Sequence, residues 1–154
     1  MSGAAAAGGV GASAGGASWG ALSGESLSLD AHVAAVSGPR HGAVATFVGL
    51  VRDHDPAVAG EVTHLEYSAH PDAGAVVARI VAEVAAAHDA TLALTHRVGL
   101  LAVGESAIVA AAASAHRAEA FAACREAVER VKAELPVWKR EILADGTHTW
   151  VGIT

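Results

Sequence analysis

The sequence predicts an α+β fold in one domain, and two features of the chain support this class. Segments rich in β-branched residues alternate with segments of helical periodicity, so both types of element are present. Several connections resemble hairpins, above all the one around Asp145-Gly146. This mixture favours α+β over a regular doubly wound sheet. We therefore expect a mixed or antiparallel sheet with two main helices.

The first half of the domain is predicted to hold a short helix, two strands and a longer helix. Asp30 can cap the short helix, which runs to about Val36 before Gly38-Pro39. The strands are predicted at residues 41–51 and 62–67, with a polar loop over residues 52–60 between them. Pro71 can open the longer helix, which ends near His88.

The second half is predicted to hold two strands, a long helix and a final hairpin. Strands at residues 91–98 and 106–113 are joined through Gly99 and Gly104, and Ser114 can cap a helix of about twenty residues. One face of this helix is apolar and consists of Phe121, Cys124, Val128, Val131 and Leu135. Pro136 ends it. Residues 137–143 and 149–152 then pair around Asp145-Gly146.

The N-terminal segment differs from the rest of the chain in composition. Residues 1–25 are mostly Gly, Ala and Ser, which predicts a disordered tail followed by a domain over residues 26–154. Trp19 lies in this tail and could dock on the domain, but a lone aromatic in such a segment more often makes no specific contact, which is what we expect here. The first positive charge is Arg40, so the basic start of a secretory signal is missing.

Charge and cysteine content exclude some classes of function. The formal net charge of −6 argues against a general nucleic-acid binder. Cys124 is the single cysteine, and the nine histidines form no metal-binding motif, so we expect no metal and no cofactor. A lone cysteine also suits a reducing, cytoplasmic compartment. Cys124 itself falls on the apolar helix face and is interpreted as a core residue.

The two lysines are the strongest candidates for chemistry. Lys132 and Lys139 are the only lysines, against eight arginines, and they stand seven residues apart beside Pro136 and Trp138. A lysine amine can lose its proton when other cations or burial crowd it, and it can then act as nucleophile or base. The alternative is a pair of solvated surface lysines. Lys132 lies on the border of the apolar helix face, where it can line a pocket while its stem stays packed.

Three basic clusters suit a small anionic ligand such as a phosphate, if the fold brings them together. Arg52 follows a buried strand, His116 and Arg117 begin the long helix, and Lys139-Arg140 follows its end. Free N–H groups at a helix N-terminus favour an anion, and arginine fixes its geometry. Taken singly, Arg52 can instead pair with Asp53 or Asp55 at the surface. His116 and Arg117 can likewise form a solvated first turn.

A series of motifs in chain order resembles the large, catalytic subunit of molybdopterin synthase. The motifs span residues 27–152: Gly42-Ala-Val-Ala-Thr-Phe-Val-Gly-Leu-Val-Arg-Asp-His54, Leu65-Glu-Tyr67, His70-Pro71, His96-Arg-Val-Gly99, Val103-Gly-Glu105, Ser114-Ala-His-Arg117, Ala120-Phe-Ala-Ala-Cys-Arg-Glu126, Pro136-Val-Trp-Lys-Arg-Glu141, Asp145-Gly146 and Trp150-Val151. The resemblance implies an α/β-hammerhead fold and an enzyme of molybdenum cofactor biosynthesis. It implies that sulfur passes to cyclic pyranopterin monophosphate and forms the dithiolene of molybdopterin. The sulfur donor would be a small ubiquitin-like subunit with a C-terminal Gly-Gly thiocarboxylate, and a homodimer of the large subunit would bind two of them in a heterotetramer.

The resemblance also assigns roles to individual residues. It implies that Lys132 and Lys139 are catalytic and also contact substrate. The other substrate-binding positions that it implies are Leu50, Val51, Arg52, His116, Arg117, Arg140 and Glu141. Leu50 and Val51 would contribute backbone contacts, and Glu141 would orient a lysine. Many relatives have a basic residue in place of Leu50.

Two other classes of function use the same residues. A non-catalytic anion-binding or scaffold protein would need the positive charges but not a lysine amine, so Lys132→Arg would preserve its function. A module that binds ubiquitin-like proteins would keep a groove for the partner's tail and lack affinity for a pterin.

Overall fold

The computed structural model describes residues 16–151, which form eight strands and three helices in an α+β arrangement. The elements in chain order are β1 (Trp19–Ser23), α1 (Leu29–Val36), β2 (Ala43–Leu50), β3 (Val62–Ala69), α2 (Ala73–His88), β4 (Thr91–Arg97), β5 (Gly99–Ala102), β6 (Ser106–Ser114), α3 (Arg117–Glu134), β7 (Val137–Leu143) and β8 (His148–Val151). The predicted α+β class is confirmed. None of the helices in this part of the chain is long and apolar enough to cross a membrane.

The strands form two four-stranded sheets. The first has the order β1-β4-β6-β2 and is mixed, because β1 runs parallel to β4 while the other neighbours are antiparallel. The second has the order β5-β3-β7-β8 and is antiparallel throughout. The short strand β5 follows Gly99, whose φ of 93° turns the chain from one sheet into the other.

The first sheet is the middle layer of the domain. Helices α2 and α3 pack on one face and α1 on the other, so β6 is covered on both sides. Residues 110–113 of β6 are four consecutive alanines, each with 0% exposure. Alternate members of this run face opposite layers. Their small side chains let helices approach closely from both directions.

The N-terminal tail predicted over residues 1–25 is too long, because its last part belongs to the folded domain. Residues 1–15 lie outside the described part, but Trp19–Ser23 pairs with β4 as strand β1. The Oγ of Ser18 accepts the Leu92 N–H at 3.0 Å, and the Trp19 ring lies 5.2 Å from the His32 ring. A Cβ on Gly20 would lie 2.6 Å from the Val77 carbonyl oxygen, so glycine lets β1 pass against α2. The expectation that Trp19 makes no specific contact is wrong.

Several helix boundaries also differ from those predicted. Ser28, not Asp30, caps α1, since its Oγ accepts the Ala31 N–H at 3.0 Å. Ser114 is the last residue of β6 and its hydroxyl donates to the Asp89 carbonyl, so it does not cap α3. The N-cap of α3 is His116. Helix α3 ends before Pro136 as predicted, and the Asp145-Gly146 hairpin is confirmed as far as Val151, with Gly152 outside the described residues.

Four of the five residues predicted for the apolar face of α3 are buried, and Phe121 is not. Cys124, Val128, Val131 and Leu135 are buried, whereas Phe121 is 65% exposed. Phe121 lies in the first turns of α3 and lines an open cavity opposite residues 45–47 of β2. Burial raises the pKa of Cys124 to about 11, so the thiol stays protonated and is a core group as predicted.

Acid should destabilise the fold through His96, which lies in β4 with 2% exposure. Its Nδ1 donates to the Arg97 carbonyl at 2.7 Å, and burial lowers its pKa from 6.5 to about 4. As the pH falls, His96 therefore takes up a proton in the unfolded state before it does so in the folded state. Its contribution to stability is complete above pH 6.5 and is lost as the pH falls toward 4. A shift of this size corresponds to about 3 kcal/mol.

Urea unfolding of the wild type and of His96→Asn at several pH values would measure this contribution. Asparagine does not titrate, so the variant should lose about 3 kcal/mol less than the wild type between neutral pH and pH 4. His32 has a similarly lowered pKa but is present in both proteins, so its effect cancels. Equal losses in the two proteins would show that His96 does not contribute.

Candidate active site

A polar pocket of about 150 Å³ lies where the two sheets and the end of α3 meet. It contains Leu50, Arg52, Lys132, Lys139 and Glu141, which are five of the nine residues assigned to the site from the sequence. The others that line it are Phe47, Gly49, His54, Asp55, Leu65, Tyr67, Ala107 and Ile108. Strands β2, β3, β6 and β7 and helix α3 all contribute, so the pocket depends on the complete fold.

The two lysines approach one another because the chain reverses direction between them. Lys132 is in the last turn of α3, where the helix dipole favours a cation, and β7 begins at Val137 just beyond Pro136. Lys139 is half-buried and pairs in register with Tyr67 of β3. Partial desolvation in the pocket lowers the pKa of the Lys132 ammonium, although the residue as a whole is exposed. The like charge of Lys139 lowers this pKa further.

Arg52 reaches the pocket from the segment that follows β2. The register of β2 against β6 shifts between Gly49 and Leu50, which marks a bulge at the end of the strand. The Arg52 side chain is exposed and makes no ion pair with Asp53 or Asp55, both of which belong to the described residues. The surface ion pair considered from the sequence is therefore not formed, and the guanidinium is free to bind an anion.

Leu50 and Val51 differ in what they can offer a ligand. Leu50 is 62% exposed at the pocket. Val51 is buried, its N–H donates to the Glu105 carbonyl at 3.0 Å, and its carbonyl accepts the Gly104 N–H at 2.8 Å. Both backbone groups of Val51 are thus engaged within the fold. Val51 thereby anchors the segment that carries Arg52, and its backbone contact with substrate stays a prediction.

Glu141 lies beside the lysines and contacts a second carboxyl group. It is 3% exposed, and its Oε1 has no hydrogen-bond partner among residues 16–151. Its carboxyl lies close to that of Asp55, and burial, followed by the effect of Asp55, raises the pKa of Glu141 to about 7. No ion pair joins Glu141 to Lys132 or Lys139 in the structure. The contact of Glu141 with Asp55, and not with a lysine, was missed from the sequence.

His116, Arg117 and Arg140 lie outside the pocket. His116 and Arg117 begin α3, beside Gly42 and Ala43, in a separate broad cleft. Arg117 is fifteen positions before Lys132 on one helix, which separates the two residues by roughly 22 Å along its axis. Within a single chain, the fold therefore does not bring these clusters together.

Arg140 is turned away from the pocket because neighbouring strand residues face opposite sides of a sheet. Lys139 and Glu141 line the pocket, whereas Arg140 forms an ion pair with Glu66 of β3. Its guanidinium also lies 5.8 Å from the centre of the Trp150 ring. These contacts give Arg140 a structural role in the second sheet.

Tyr67 and His96 support the pocket floor and were not assigned to the site from the sequence. The two rings meet edge to face, with centroids 4.9 Å apart. Tyr67 is buried and lines the pocket, and His96 lies close enough to Lys132 for the lysine charge to lower its pKa. The sequence offered a signal for Tyr67, since it alternates with the more exposed His64 and Glu66 on β3.

An apolar cavity of about 310 Å³ adjoins the lysine pocket along β2 and α3. Phe47 lines both spaces, and Phe121 and Val128 of α3 close the other side of the cavity. No group of three or more histidine, cysteine, aspartate or glutamate side chains within the described part of the chain could hold a metal ion. The site consists of two lysines, one arginine and a carboxyl pair beside an apolar groove.

Comparisons with known proteins place this chain within one family. The family model described as MoaE protein matches residues 22–134. Molybdopterin synthase catalytic subunit 1 of Mycobacterium tuberculosis is 40% identical over 135 residues, which are 85% of this chain and 88% of that protein. The crystal structure of molybdopterin synthase from Staphylococcus aureus has a TM-score of 0.79 and 30% identity, covering 86% of this chain and 96% of that one.

A further solved structure shows the same fold at greater sequence distance. It is a complex of subunits 1 and 2 of the molybdopterin-converting factor from Helicobacter pylori, with a TM-score of 0.69 and 18% identity. The alignment covers 86% of this chain and 89% of that chain. Since the family model and the relatives cover most of the chain, this protein belongs to the MoaE family, the family of molybdopterin synthase catalytic subunits.

Proposed function

We propose that this protein is the catalytic subunit of a molybdopterin synthase and transfers sulfur to cyclic pyranopterin monophosphate, forming the dithiolene of molybdopterin. The observation that carries the proposal is the pocket that joins Lys132, Lys139 and Arg52. An arginine suits the phosphate of the substrate, and lysines suit the charge that develops during sulfur transfer. Family membership supports the same reaction.

The sulfur donor in this proposal is a small ubiquitin-like subunit that carries a thiocarboxylate on its C-terminal Gly-Gly. The related Helicobacter pylori protein was solved as a complex of two subunits. The pocket here is small and opens beside an apolar groove, which suits an extended tail that ends in residues without side chains. We place this assembly in the cytoplasm, where a free buried thiol such as Cys124 is stable.

The two lysines have different surroundings and therefore different proposed roles. Burial and the charge of Lys139 both lower the pKa of Lys132, which favours its neutral, reactive amine. We assign Lys132 to the reacting thiocarboxylate, as nucleophile or base. Lys139 supplies positive charge on the opposite wall, where it stabilises negative charge on the substrate.

His116 and Arg117 can join this site only from a second copy of the chain. Their distance of roughly 22 Å from Lys132 prevents contact with the same small ligand inside one protomer. We propose a homodimer in which the α3 N-terminus of one protomer completes the lysine pocket of the other. With two small subunits, this dimer forms a heterotetramer.

The assay that tests the function combines the purified protein, the cyclic pterin precursor and a thiocarboxylated partner. Formation of the dithiolene supports the proposal. Binding of the precursor without conversion would favour an anion-binding protein, and binding of the partner alone would favour a ubiquitin-like-protein binding module.

Arg52→Ala should weaken binding of the cyclic precursor about tenfold to a hundredfold. A hydrogen bond to a charged group contributes roughly 1.5–3 kcal/mol, and Arg52 makes no competing ion pair in the structure. Calorimetric titration of the free precursor would measure the change. Arg40→Ala is a matched control, since Arg40 is an exposed arginine outside the pocket. Equal affinities for the two variants would contradict the assignment of Arg52.

A further inference from the structure

Two carboxyl groups meet in the lysine pocket although they come from distant parts of the chain. Glu141 lies on β7, and Asp55 lies in the loop between β2 and β3. Glu141 is 3% exposed, lines the pocket, and has an Oε1 without a partner in the described structure. A buried carboxylate oxygen that lacks a donor is costly, so this geometry calls for a proton.

The surroundings of the two groups decide which one carries that proton. Asp55 is partly exposed, and its Oδ1 accepts the Ala57 N–H at 2.9 Å, which stabilises the ionised form. This bond and the contact with Glu141 lower the pKa of Asp55. Burial and the same contact raise the pKa of Glu141 to about 7. Burial of Glu141 and the Ala57 N–H on Asp55 thus favour a proton on Glu141, in a position to be shared with the Asp55 carboxylate.

The charged and titratable groups that face this pair come from every wall of the pocket. They are Arg52, His54, Tyr67, Lys132 and Lys139. The charges of Lys139 and Arg52 lower the pKa of Glu141, but burial and Asp55 have the larger effect. Near neutral pH, the pair is consequently divided between a form with one proton and a form with none.

We propose that Asp55 and Glu141 share one proton and serve as the proton-exchanging group of the lysine pocket. The proton-exchanging role, unlike the shared proton, rests on the proposed function. In this exchange, the Glu141 carboxyl gives its proton to a basic group that forms in the pocket. It later takes a proton back from an acidic group there, so only protons are transferred. Asp55 acts through Glu141 as a positioning residue, because its charge keeps a proton on Glu141 at a pH where an ordinary glutamate is ionised.

Asp55→Asn tests the pair without removing the turn that Asp55 forms. Asparagine keeps the Oδ1 that accepts from Ala57, but it lacks the negative charge and its amide can donate to the Glu141 carboxylate. Both changes favour ionised Glu141, so its pKa should fall by about one unit or more. Infrared titration of the free protein follows the protonated carboxyl directly. Its midpoint should move to lower pH in Asp55→Asn, and the signal should be absent near neutral pH in Glu141→Gln.

The pH profile of sulfur transfer then tests the catalytic part. The wild-type rate should fall as the pH rises through about 7, and the rate of Asp55→Asn should fall at a lower pH. An unchanged infrared midpoint in Asp55→Asn would overturn the shared proton. A shifted midpoint with an unshifted rate profile would overturn the role in catalysis. If the wild type shows the expected titration but forms no dithiolene at any pH, the proposed function fails while the shared proton stands.

Discussion

Replacing Lys132 with alanine should abolish dithiolene formation while leaving the protein folded. Loss of a positioned charged group at a reacting centre costs on the order of 10²-fold or more in rate. Lys132 is exposed at the edge of α3, so its removal leaves no cavity in the core. Lys139→Ala should also be severe, because Lys139 is the second lysine that lines the same pocket. Single-turnover measurements with saturating partner would give the rate of each variant.

Lys132→Arg is the matched variant that separates charge from amine chemistry. Arginine restores a positive charge but cannot lose its proton in the pocket, so this variant should stay close to Lys132→Ala in rate. Recovery in Lys132→Arg would mean that charge alone is needed, as in an anion-binding scaffold. Near-normal turnover of both alanine variants, with unchanged thermal unfolding, would remove the lysines from the mechanism.

Shortening the partner's tail should stop sulfur transfer even when the sulfur itself is retained. A partner that lacks the terminal Gly-Gly, but carries a thiocarboxylate on its new C-terminus, reaches about 7 Å less far. A misplacement of about 1 Å already costs as much as 10²-fold, so turnover should fall to background. Rates with the shortened and full-length partners would be compared under single-turnover conditions.

A partner of full length that ends in Ala-Ala is the control for tail width. It keeps the reach and adds two methyl groups, so it separates a tail that is too short from one that is too wide. Gel filtration would show whether each partner still forms a two-plus-two assembly, which we expect to weaken without the Gly-Gly. Normal sulfur transfer by the shortened partner would show that the tail does not extend to Lys132.

The strands and the lysine pair could be predicted because local sequence determines them. Residues of β4 and β6 are mostly small, aliphatic or β-branched, which suits buried strands, and both strands are buried. Strand β2 was also predicted to be buried, but it lies at the edge of its sheet and only Ala45 is buried. Pro136 ends α3 between Lys132 and Lys139, so both lysines stay near one turn of the chain. The class of fold and the pocket containing Arg52 follow from such signals.

The remaining features depend on contacts between distant parts of the chain. Strand β1 was missed because Gly20 weakens a strand locally, whereas here it makes room for the Val77 carbonyl. The short β5 exists because it pairs with β3. Asp55 looked like any loop carboxylate, since nothing near it in sequence indicates that Glu141 lies beside it.

The alanine run in β6 sets the height of Lys132 above the sheet. Ala110 and Ala112 each place one methyl group beneath α2 and α3, so the helix that carries Lys132 rests almost directly on the strand. Valine at either position would add two methyl groups to this spacer and lift the helix, changing the gap between Lys132 and the β7 wall. Substitutions in β6 can therefore change the size of the acceptor that Lys132 reaches, although these residues do not contact a substrate.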